Sequence, residues 1–78
     1  MPTVLLLYGI RFYFYSHEET RMHIHVSYQG SEAKIWLDTF EVAMNYGFNP
    51  HQLVKIIKLV RSYEKEIKKA WIEHFPKN

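Results

Sequence analysis

Seventy-eight residues, 47% hydrophobic and 17% aromatic, make one small domain near the lower limit of what an unaided core holds together. The absence of cysteine excludes disulfide staples and thiolate metal sites, and no apolar run approaches the roughly 20 residues needed to span a bilayer. A net charge of +2 is too mild to imply a nucleic-acid partner by itself, so the placement of the charges has to decide.

The first half alternates with the period of strands. Val4 to Tyr8 reads as a short strand and Gly9 as a turn. The apolar opening lacks a basic n-region and a small-residue cleavage site, so no signal peptide is expected and the cytoplasm is the expected location. Ile10 to Tyr15 follows, with Ile10, Phe12 and Phe14 on one face and Arg11, Tyr13 and Tyr15 on the other. After a polar loop, Met22 to Tyr28 points Ile24 and Val26 one way and His23, His25 and Ser27 the other. Gln29-Gly30-Ser31 is a hairpin signal. Glu32 to Leu37 sets Ala33, Ile35 and Leu37 against Lys34 and Trp36.

The period then changes. Asp38 and Glu41 have capping-box spacing for a short helix ended by Gly47. Asn49, Pro50 and Gln52 open a second helix, and Leu53, Ile56, Ile57, Val60, Ile67 and Trp71 carry it to about Phe75. The expected fold is α+β: a four-stranded, mainly antiparallel sheet covered on one face by a short helix and a long C-terminal helix.

That arrangement leaves a second sheet face to solvent or a partner. Arg11, Tyr13, Tyr15 and Trp36 on it form a candidate nucleic-acid surface, because bases stack on aromatic rings and cations attract phosphates. Burial of this face by self-association or by the chain's own loops is the equally weighted alternative. His23 and His25, two apart on a strand, project to the same side about 6.5–7 Å apart. They are candidate general acid and base for RNA cleavage, with Lys34 beside a developing phosphorane and Glu18 orienting an imidazole.

The pair would bind a divalent ion if His17, Glu18 or Asp38 reached it. The remaining ligands of a tetrahedral set are not found locally, so no metal or other cofactor is expected. On the long helix, Lys55 and Lys58 begin a basic stripe that suits RNA or an acidic partner, although a solvated face is the commoner meaning. Glu64 falls inside the apolar arc and is expected to be paired or at an interface.

Several segments in order resemble the small prokaryotic family known as domain of unknown function 4160. They are Met1-Pro2-Thr3-Val4, Phe14-Tyr15-Ser16 with Glu18, His23-Ile24-His25-Val26, Ala33-Lys34-Ile35-Trp36-Leu37, Tyr46-Gly47-Phe48, and Trp71 to Phe75. One departure is Thr20-Arg21-Met22, where that family usually carries a proline shortly before the first histidine. The resemblance implies a candidate toxin component, held by a cognate antitoxin-like protein and directed at RNA or translation. The alternative is a non-catalytic module that binds nucleic acid or protein through the same face.

Overall fold

Both hairpin turns expected from the sequence form in the computed structural model, which describes residues 3–15 and 20–75. Tyr8 and Gly9 take φ of 54° and 80°, and Gln29 and Gly30 take 47° and 84°. Two successive positive φ values give a turn whose twist matches that of the strands it joins. The strands are β1 (Thr3–Leu7), β2 (Ile10–Tyr13), β3 (His23–Tyr28), β4 (Ser31–Trp36) and β5 (Val42–Tyr46). They pair in sequence order as a fully antiparallel meander. Two helices follow, α1 (Pro50–Ser62) and α2 (Glu64–His74).

The α+β class is as expected, but the sheet has five strands, not four. The expected short helix is instead a turn followed by β5. The Asp38 carboxylate accepts from the Thr39 N–H at 2.9 Å, and Thr39 Oγ1 accepts from the Glu41 N–H at 3.3 Å. Phe40 sits at φ 61°, outside the helical region, while Trp36 N–H donates to the Glu41 carbonyl at 2.9 Å. These local bonds satisfy the backbone in a reversal, so Asp38 and Glu41 never form a capping box.

Register slips at both outer strands. Thr3 faces Tyr13 and Leu5 faces Phe12, which leaves Val4 as an extra residue. Val42 faces Ile35 and Met44 faces Lys34, which leaves Ala43 extra. The second slip lets Val42 pack on the core, whereas Met44 and Tyr46 fall on the opposite face.

Asn49 caps α1 as expected: its Oδ1 accepts from the Gln52 N–H at 2.8 Å, and Gln52 Oε1 accepts from the Asn49 N–H at 2.9 Å. Asn49→Ala is therefore expected to cost about 1 kcal/mol, read as a lower urea midpoint at unchanged slope. The apolar spacing suggested one helix to about Phe75, but the helix breaks at Tyr63 (φ −108°, ψ 21°). The Tyr63 N–H still donates to the Leu59 carbonyl, and the Ile67 N–H to the Tyr63 carbonyl, each at 3.0 Å. Neither proline nor glycine marks the break. Glu64 is paired, accepting from Lys68 Nζ at 2.6 Å.

Phe12, Phe14, Ile24, Val26, Ala33, Ile35 and Leu37 meet Ile56, Val60, Ile67 and Trp71 in one buried cluster. Each large aliphatic or aromatic side chain so buried contributes about 1.5–3 kcal/mol. Among the described residues, no helix is long and apolar enough to cross a membrane.

Candidate functional site

Strand register lines up the polar-face residues in rows. Arg11 lies opposite Ser27, which lies opposite Glu32. Tyr13 lies opposite His25, which lies opposite Lys34, and His23 lies opposite Trp36. Six of the expected site residues, Arg11, Tyr13, His23, His25, Lys34 and Trp36, thus share one face, with Tyr15 just beyond the end of β2. Glu18 and His17 lie outside the described residues. Lys55 and Lys58 do not join this face, because α1 packs on the other side of the sheet.

The face is less open than alternation suggested. Tyr13 is 2% exposed, His23 0% and His25 5%, whereas Tyr15 is 37% exposed. The chain's own side chains do the covering. Arg11 Cζ stands 4.4 Å from the centre of the Tyr13 ring. Arg21 Cζ and Lys34 Nζ stand 4.1 Å and 4.6 Å from the centre of the Trp36 ring. Such stacking fixes each cation on a ring face and occupies the surface on which a base would stack.

The two histidine rings lie edge to face with centroids 5.0 Å apart, closer than their spacing along the strand requires. His25 also meets Tyr15 at 4.1 Å and stacks on Tyr13 at 5.5 Å. His23 packs against both Trp36 and Trp71, at 5.7 Å and 5.1 Å. Its Nδ1 lies 2.7 Å from the Arg21 carbonyl oxygen, which can only accept, so Nδ1 carries the proton. Sequence spacing placed Trp71 in the helix seam and gave no sign of its contact with His23.

Two acidic groups take part in ways the sequence did not indicate. Glu32 Oε1 accepts from the Tyr13 hydroxyl at 3.2 Å. The Asp38 carboxylate is gripped by Arg21, with Nη2 to Oδ1 at 3.0 Å and Nε to Oδ2 at 3.1 Å. That grip holds the exposed Asp38 carboxyl below its ordinary range. Among the described residues, no group of three histidine, aspartate or glutamate side chains could hold a metal ion.

Burial, reinforced by Tyr15 and the nearby Glu32 charge, pushes the Tyr13 phenol well above its usual 10.0. Stability linked to this group is complete below pH ~10 and falls as pH rises further, because the unfolded phenol then ionises while the folded one resists. Alkaline titration of tyrosinate absorbance is expected to show a late step that Tyr13→Phe removes. Its persistence in that variant would refute the assignment.

The family model for a domain of unknown function (DUF4160) matches residues 9–72. The chain belongs to this family. The match takes in β2 to α1 and nearly all of α2, and with them every described residue of the polar face named above. No curated protein and no solved structure matches the chain.

Proposed function

We propose that this member of the family is a toxin-like component that acts by holding RNA, and is itself held by a cognate antitoxin-like protein. The observation that carries the RNA reading is the set of three cations, Arg11, Arg21 and Lys34, seated on the rings of Tyr13 and Trp36 across one face. Cations fixed in this way give up little freedom on meeting phosphates, and the half-exposed Tyr15 beside them supplies a ring for a base. The toxin–antitoxin part rests on the family resemblance.

Burial of the histidines favours binding over cleavage. A general base must come within about 2.6–3.2 Å of the proton it takes, and His23 offers no exposed surface to a ribose hydroxyl. His25 then supports the platform through Tyr13 and Tyr15.

Fluorescence titration with short single-stranded RNA tests this reading. Affinity is expected to fall with salt, with a log–log slope of about −0.7 per phosphate engaged. Arg11→Gln and Lys34→Gln should each flatten that slope by about 0.7. Absent or salt-independent binding would sink the RNA reading. Inducible expression with and without the neighbouring reading frame tests the toxin part, which fails if growth is the same in both.

A further inference from the structure

A second site lies on the helical side of the molecule, independent of the sheet-face reading. Where α1 meets the β1–β2 turn, a half-open groove of about 560 Å³ is lined by Tyr8, Ile10, Tyr28 and Phe48, with Lys55 and Lys58 among its α1 residues. The size is that of a working binding pocket, about 300–1,000 Å³.

Charge and backbone both mark this groove. Residues 50–62 carry Lys55, Lys58 and Arg61 and no aspartate or glutamate, so α1 alone holds more positive charge than the +2 of the whole chain. Lys55 and Lys58 are exposed, one helical turn apart, and make no ion pair among the described residues. At the groove's other wall, Tyr8 is 84% exposed and sits at φ 54°. That position of a hairpin turn favours asparagine, aspartate or glycine, so a large ring there is held against both conformational preference and hydration.

We infer that this groove binds an acidic amphipathic segment of a partner protein, with leucine or phenylalanine anchors against Ile10, Tyr28 and Phe48 and carboxylates on Lys55 and Lys58. Ile10, Ile56 and Leu59 between the aromatic rings give the groove a mixed apolar floor that suits such anchors. Two lysines on one turn also match a pair of carboxylates rather than the extended track of a nucleic-acid backbone.

The test is fluorescence anisotropy of a labelled peptide that alternates glutamate with leucine and phenylalanine, titrated with the full chain. Saturable binding is expected, lost when the glutamates are replaced by lysines. The double variant K55E/K58E should weaken binding at least tenfold. Tyr8→Asn should weaken it several-fold without lowering the thermal midpoint, because asparagine accepts the turn geometry while removing the ring. Absence of peptide binding, or binding that ignores the charge reversal, overturns the inference. So does displacement of the peptide by single-stranded RNA at lower concentration than by unlabelled peptide. Self-association abolished by K55E/K58E would assign the groove to a second copy and likewise overturn it.

Discussion

Trp71→Ala is expected to remove about 4 kcal/mol of stability, the middle of the range for truncating a buried aromatic. Trp71 is 7% exposed, and its ring meets Phe14 at 5.4 Å, His23 at 5.1 Å and Phe75 at 4.5 Å. It fastens α2 to the end of the sheet and covers the first residue of β3 at the same time. A domain of this size has total stability of about 4–12 kcal/mol, so the variant loses about a third or more of it. Urea unfolding provides the measure, and Trp71→Phe, which keeps much of the ring contact, should lose less than half as much. A cost below about 1 kcal/mol for the alanine variant would show that Trp71 does not hold the helix in place.

The second large effect is expected at His23. His23→Ala should cost about 3 kcal/mol, through a cavity between two tryptophans and through loss of the bond to the Arg21 carbonyl. His23→Phe refills the volume but leaves that carbonyl without its donor, and should cost about 1–3 kcal/mol. If His23→Phe were as stable as the parent chain, the Nδ1 bond would be worth nothing and the histidine would need another reason to be there. The pair of variants also bears on growth assays. Any growth effect lost in His23→Ala would be accounted for by lowered stability alone, so the catalytic alternative is better examined with His25→Gln in a chain shown to be folded.

Much of this fold is written in short-range pattern. Alternation placed Phe12, Phe14, Ile24, Val26, Ala33, Ile35 and Leu37 on the core side, and the Gly9 and Gly30 turns fixed their pairing. Asn49, Pro50 and Gln52 announced α1 because capping is a local matter. β5 was hidden because the extra residue Ala43 breaks the period of two that would have revealed it, while Asp38 and Glu41 happen to have capping-box spacing. The break at Tyr63 was hidden because the apolar positions continue at helical spacing across it.

The polar face was legible as a set of residues but not as a surface. Facing is a property of strand parity, which sequence carries. Exposure depends on where long side chains fold back, and alternation is silent on that. Arg11 over Tyr13, and Arg21 and Lys34 over Trp36, turned an expected row of bare rings into rings capped by cations. The surroundings of His23 differ most from expectation, because Trp71, 48 positions further along the chain, packs against its ring, a long-range contact that periodicity cannot see.

The extra residues Val4 and Ala43 lie in β1 and β5, the two strands that have a neighbour on one side only. A meander of antiparallel strands otherwise ends in two straight rows of amide and carbonyl groups, each a template on which another chain could crystallise its own backbone. An inserted residue bends the strand and puts that row out of step at the insertion. The irregularity matters most where apolar surface is displayed, as at Leu6 and Tyr46 on these margins, 69% and 73% exposed. Deleting Ala43 is expected to straighten one margin and promote edge-to-edge association, read as light scattering that rises with concentration.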